Sequence, residues 1–236
     1  MARVPLLGVA VVCVLAVCCA ASRWPFGRFL KTLSFFDQLP KLPAWPFRSS
    51  QKDNAMTTTS GALLPGAMLF GPGVPLVFGA LDDVVMGGVS RTEIEPGPFS
   101  GVFRGTVSTD NNGGFAGIRT KQFTPPLDIS KATGFQLKVR GDGQRYKVIA
   151  RDDDLWNGIA WYAPVDTKKD KVVTVRIPVS SLTPTRFAKT VTAPPFNKKS
   201  LCGLQLTLSK FERDGLLNPS FAEGRFELVV EEITLY

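Results

Sequence analysis

Phe135-Gln136-Leu137-Lys138-Val139-Arg140-Gly141-Asp142-Gly143-Gln144-Arg145-Tyr146-Lys147-Val148-Ile149-Ala150 sets an apolar residue at every second position on both sides of a Gly-Asp-Gly break. Period two is the repeat of a β-strand with one face in a core and the other in water, whereas a helix would repeat near 3.6. Phe135, Leu137 and Val139 therefore share one face, as do Tyr146, Val148 and Ala150. The glycines around Asp142 predict a tight hairpin between the two runs.

Runs of the same period occur at residues 99–108, 115–121, 159–163, 172–177, 204–208 and 225–236. In the last, Phe226, Leu228 and Val230 give way to Ile233 and Leu235, so the apolar phase shifts across Glu231-Glu232. A β-bulge at that point keeps both sets on the buried face. Eight strands punctuated by Gly, Pro, Asn and Asp, with no convincing helical stripe, predict two packed antiparallel sheets, best fitted by an all-β jelly-roll sandwich. We place it at residues 76–236.

The remaining third of the chain has a different composition. Residues 5–21 are uncharged and mostly apolar, follow Arg3, and end in small residues near Ala20 and Ala21. A basic start, a short apolar stretch and a small-residue exit describe a signal peptide over residues 1–21, with a retained membrane anchor as the alternative. Residues 22–75 add Arg23, Arg28, Lys31, Lys41, Arg48 and Lys52 against Asp37 and Asp53. Trp-Pro-Phe occurs there twice, at 24–26 and 45–47. This acid-poor stretch predicts a transit segment and linker; its aromatics also suit a tether lying on a membrane surface. A signal-type start followed by a basic stretch resembles the bipartite leaders of algae whose plastids lie inside the endomembrane system. That predicts a plastid address, with the mitochondrion as the alternative.

Composition excludes several chemistries. The chain has no histidine, which removes Ser-His-Asp and Cys-His catalysis and any histidine metal site. Of four cysteines, Cys13, Cys18 and Cys19 lie in the leader, so Cys202 has no partner within the domain and is expected as a buried, inert thiol. The formal charge of +8 resides mostly in the leader, and the basic residues of the domain are interleaved with acids, so no nucleic-acid surface is expected. No cofactor or metal is expected either. Asp152-Asp153-Asp154 lacks the ligand spacing of a Ca²⁺ loop and reads as a solvated turn.

Two glycine-pair motifs carry the family signal. Asp82-Asp83-Val84-Val85-Met86-Gly87-Gly88-Val89-Ser90 is followed by Asn111-Asn112-Gly113-Gly114-Phe115-Ala116-Gly117-Ile118-Arg119. Together they resemble the signature of the complex I intermediate-associated protein 30 family, and the resemblance runs from about Val77 to Tyr236. It implies a galactose-binding-like β-sandwich with no enzymatic activity. It also implies an assembly factor whose partners are subunits or intermediates of a membrane electron-transfer complex, respiratory or photosynthetic. A carbohydrate-binding module is the alternative that the fold alone suggests. Where the family often has glycine after the arginine at position 186, this chain has Phe187.

The candidate contact residues are Asp82, Asp83, Asn112, Arg119, Trp156 and Phe211. Asp82 and Asp83 can pair with Arg119 and pin the amino-terminal segment to the sandwich, or contact a polar ligand or partner. The glycine pairs around Asn112 serve turns or shape a shallow surface. Trp156 lies in a polar loop, whereas Trp161 alternates with Ile159 and Ala163 and belongs to the core. Phe211 sits in an insertion at residues 210–219 between two late strands.

Overall fold

The computed structural model of the chain describes residues 25–38, 61–97 and 100–236. The signal-type segment 1–21 and the stretch 39–60 lie outside the described residues. Among the described residues, thirteen strands form two antiparallel sheets. β1 (Met68–Phe70), β3 (Arg91–Pro96), β4 (Gly101–Val107), β6 (Gly134–Gly141), β9 (Val172–Pro178) and β13 (Gly224–Leu235) make the first, in the order β3-β4-β13-β6-β9 with β1 paired to β13. The second holds β2 (Phe78–Ala80), β5 (Phe115–Thr120), β7 (Arg145–Arg151), β8 (Ala160–Asp166), β10 (Thr183–Arg186), β11 (Lys189–Thr190) and β12 (Gly203–Ser209), in the order β11-β10-β8-β7-β12-β5-β2.

The alternation read from the sequence fills the space between the sheets. Phe103, Phe135, Leu137, Val139, Phe226 and Leu228 of the first sheet pack against Tyr146, Val148, Trp161, Leu204, Leu206 and Leu208 of the second. Each such side chain contributes about 1.5–3 kcal/mol by leaving water. Phe103 meets Tyr146 and Phe226 edge-on at centroid distances of 6.1 and 4.9 Å. Pairing of β13 with β6 shifts between Val230 and Glu232, the bulge expected from the phase change, so Val230, Ile233 and Leu235 are all buried. Trp161 is core, and its indole N–H reaches Asp152 Oδ1 at 2.9 Å. Cys202 is buried, and burial raises its thiol pKa.

Three sequence expectations change. β6 and β7 do not form a hairpin: they pair in different sheets, and residues 142–144 carry the chain across the sandwich. Asp142 holds that crossing by accepting from the Tyr146 hydroxyl and the Gln144 and Glu227 amides. The sandwich also begins before residue 76, because β1 pairs with β13 and Leu69 is fully buried. Finally, residues in the stretch read as transit segment form a helix, α1 (Phe26–Phe35). Arg28, Thr32 and Phe35-Phe36 recur at helical spacing and face the sandwich. Arg28 donates to the carbonyls of Ser90 and Val89, Thr32 to that of Ala80, and Phe35 lies over Gly79. Among the described residues, no helix is long and apolar enough to cross a membrane.

Candidate functional site

The two glycine-pair motifs come together in space around one carboxylate. Residues 83–86 form a 3₁₀ turn, and Asp83 at its start is 1% exposed. Its carboxylate accepts from the Ser90 amide at 2.9 Å, the Ser90 hydroxyl at 2.6 Å, the Gly114 amide at 2.8 Å and the Phe115 amide at 3.4 Å. Ser90 leads into β3 of the first sheet and Gly114 into β5 of the second, so Asp83 stitches the two sheets together. A Cβ on Gly88 would overlap the Asp83 side chain, and one on Gly113 would come within 2.5 Å of its Oδ2. The second glycine of the first pair and the first of the second are thus the walls of the Asp83 cage. Gly87 has a different reason to be glycine: φ is +95° and nothing lies within 4 Å of a Cβ there.

Asp82 makes a parallel stitch. It accepts from the Thr92 amide at 2.9 Å, the Thr92 hydroxyl and the Gly117 amide at 3.2 Å. Burial nonetheless pushes its pKa up to about 6, outweighing these donors. The folded protein therefore binds a proton more tightly than the unfolded chain, and this contribution to stability is lost as pH rises from about 4 through 6. We expect the stability difference between wild type and Asp82→Asn to move against wild type by roughly 3 kcal/mol across that window. Urea titrations at pH 4 and pH 7 measure it; a difference independent of pH contradicts the assignment.

Neither aspartate pairs with Arg119, which corrects the ion-pair expectation. Arg119 follows Ile118 in β5, and Ile118 points into the core, so the guanidinium stands on the outer face of the second sheet. There it lies between two rings, with Cζ 5.8 Å from the Phe36 centroid and 5.4 Å from that of Trp156. The rings are 5.4 Å apart, and Arg119 Nη1 also reaches the Trp156 carbonyl at 3.4 Å. Trp156 is half-buried, covered in part by a residue from the leader side of the chain.

The outer face of the second sheet departs most from the half-buried strand read in the sequence. Lys147, Ile149, Arg151, Tyr162, Gln205 and Thr207 point away from the core, yet each is buried. The loop of residues 210–219 covers one end: Lys147 Nζ donates to the carbonyls of Phe211 and Glu212, and Arg213 Nη1 to the Tyr162 hydroxyl at 2.9 Å. Burial lowers the Lys147 pKa to about 8. The loop of residues 152–158 and Phe36 stand at the other end. Register puts Ser209 opposite Phe115, and Asn111 donates to the Gly87 carbonyl. Asp82, Asp83, exposed Asn112 and Phe211 therefore gather at one end, Arg119 and Trp156 at the other.

The 210–219 end is apolar at its surface. Phe211, Leu216 and Leu217 are exposed, with Phe211 and Leu217 joined by a β-bridge. The β10–β11 turn docks beside them, since Asp214 accepts from Thr190 and donates its amide to the Ala188 carbonyl. Phe187 in that turn has φ +50° and is 75% exposed. An aromatic residue here adopts a conformation that glycine adopts freely. The insertion at residues 210–219 with Phe211, and the departure at position 187, were the sequence signals of this cluster; its joining to the β10–β11 turn was not among them.

Asp152 and Asp153 accept from Trp161, Asn197, Leu155 and Ile159, so the acidic triplet organises its loop; no metal-ligand cluster occurs among the described residues. A cavity of about 300 Å³ opens near β1–β4 and is lined by Phe70, Leu76, Phe78, Ile94, Phe103 and Ile118 among others, without a polar side chain.

Two solved structures resemble this architecture. The family 11 carbohydrate-binding module of the cellulosomal cellulase Lic26A-Cel5E of Clostridium thermocellum is 16% identical, covering 73% of this chain and 95% of its own, with a TM-score of 0.51. The Clostridium thermocellum family 11 module in complex with a β-1,3-1,4-mixed-linked tetrasaccharide is 18% identical, covering 74% and 96%, with a TM-score of 0.50. At that identity the likeness establishes the jelly-roll fold and nothing further. No curated protein matches the chain. The family model of Complex I intermediate-associated protein 30 matches residues 75–230, a span containing the Asp83 cage, both glycine pairs and every strand of the second sheet. With that match over most of its length, the chain belongs to the complex I intermediate-associated protein 30 family.

Proposed function

We propose that the protein is a non-enzymatic assembly factor that holds intermediates of a membrane electron-transfer complex, using the apolar end of its second sheet. Family membership supports the role, and one observation supports the place. Phe187, Phe211, Leu216 and Leu217 expose large apolar surface from two loops tied together by Asp214. Exposed apolar clusters on a rigid sandwich mark partner surfaces, and Phe187 keeps its side chain in solvent at the cost of a left-handed backbone. A client resting there is shielded from aggregation while its own partners arrive. The leader composition supports delivery to an organelle, with the plastid as the address and the mitochondrion as the alternative.

Affinity purification of the native full chain tests this reading, with bound proteins identified by mass spectrometry. Respiratory or photosynthetic complex subunits are the expected catch; glycans alone would favour the carbohydrate-module alternative. The double variant Phe211→Ser/Leu217→Ser is expected to reduce client recovery at least fivefold. Its stability should stay within about 0.5 kcal/mol of wild type, as for substitutions outside a core. Full recovery by that variant would place the surface elsewhere.

A further inference from the structure

Arg119 and Arg151 project from β5 and β7 on the same outer face, separated by β12. Between them β12 presents Gly203, opposite Arg151, and Gln205, opposite Arg119. Gly203 contributes no side chain, and a Cβ there would meet only Thr120 Oγ1 within 4 Å. Burial first, then the neighbouring Arg151 charge, brings the Arg119 pKa down to about 9. Burial lowers Arg151 as well.

Such a pair normally carries a carboxylate between its members. Among the described residues this one does not: no ion pair reaches either arginine, Asp153 is the acid nearest in effect, and its carboxylate accepts from the Leu155 and Ile159 amides. Arg151 is 8% exposed, makes one long contact of 3.4 Å to the Gly158 carbonyl, and its Nε has no partner. Gln205 is 7% exposed; its amide donates to Thr207 Oγ1 while its Oε1 has no partner. Among the described residues the face thus holds one unmet donor, on Arg151, and one unmet acceptor, on Gln205, with Arg119 as a second cation beside them. Phe36 and Trp156 roof it, and Phe36 is carried by α1.

We propose that Arg119, Arg151 and Gln205 form a binding site for an oxyanion that also carries a hydroxyl, such as hydrogen phosphate or a hydroxy acid. The oxyanion bridges the two guanidinium groups, the hydroxyl donates to Gln205 Oε1, and the rings close over it. A plain carboxylate satisfies the arginines but leaves Gln205 unmet, which sets the selectivity. The site is independent of the client surface at the opposite end of the sheet, and stands whether or not the chain is an assembly factor.

Calorimetric titration of the full chain at constant ionic strength tests it, using inorganic phosphate, gluconate and acetate as probes. Saturable binding of phosphate or gluconate, at least tenfold tighter than acetate, is expected, and the tighter of the two tells a phosphoryl ligand from a hydroxy acid. Arg151→Gln should weaken that binding at least tenfold, and Gln205→Leu should erase the preference over acetate. Should Arg151→Gln fail to fold, Gln205→Leu carries the test alone, and a preference over acetate that survives it overturns the proposal. Absence of saturable binding by either hydroxylated probe overturns the proposal, as does binding that neither Arg151→Gln nor Gln205→Leu alters.

Discussion

Replacing Asp83 by alanine is expected to lower the unfolding free energy by about 4 kcal/mol. The carboxylate accepts four hydrogen bonds, three of them from backbone amides and one from a buried hydroxyl. Each donor left without a partner costs roughly 1–3 kcal/mol, and water entering the vacated space recovers part of the sum. Because the donors belong to both sheets, the loss also loosens their docking at that end. Against a typical domain stability of about 5–15 kcal/mol, the variant should be folded only marginally or not at all at 37 °C. Urea unfolding at 10 °C provides the number, and a loss below about 1 kcal/mol would mean that the cage is not structural.

The second large effect is expected at the glycines that wall the cage. Gly88→Ala sets a methyl group into the Asp83 side chain, which cannot retreat because its oxygens are held from both sheets. Overpacking of this kind costs about 1–3 kcal/mol, and the held carboxylate puts Gly88→Ala at the upper end, about 3 kcal/mol. Gly87→Ala meets no atom and strains only a left-handed backbone, so it should cost about 1 kcal/mol. Thermal melts of the two variants settle the order. If Gly87→Ala proves the more damaging, close packing is not the reason for the glycine pair.

The strands were legible wherever one face met the core and the other met water. Phe135, Leu137 and Val139 alternate cleanly because β6 lies in the first sheet, whose outer positions such as Lys138 are solvated. The change of phase at Glu231 was legible for the same reason. Sheet membership was not: a Gly-Asp-Gly turn looks alike whether the next strand pairs beside its predecessor or crosses the sandwich. The outer face of β7 was missed because Lys147 and Arg151 are charged, and charge at alternate positions ordinarily means solvent. Their burial comes from loops and from Phe36, at sequence distances no local pattern reports. α1 was hidden by its surroundings, ten residues whose composition matches a basic leader and whose partners lie more than forty residues away.

The family signature was readable as a motif, while its reason was not. Asp83 next to Asp82, and Arg119 on a nearby strand, suggested an ion pair on charge alone. The folded chain satisfies both aspartates with amides and hydroxyls and sends the arginine to the opposite end of the sheet. A sequence lists charges; which face of a strand each occupies depends on the core phase. Ile118, immediately before Arg119, carried that information.

The signature holds the sandwich together, and the proposed partner surface lies elsewhere on it. Ser90→Ala separates the two roles, because it removes one donor to Asp83 and the acceptor of the Ser108 amide while leaving a foldable chain. Unfolding and client recovery should be measured on the same preparation, well below its melting temperature. A stability loss of about 2 kcal/mol with client recovery unchanged is the predicted result. Wild-type stability with lost recovery would contradict it.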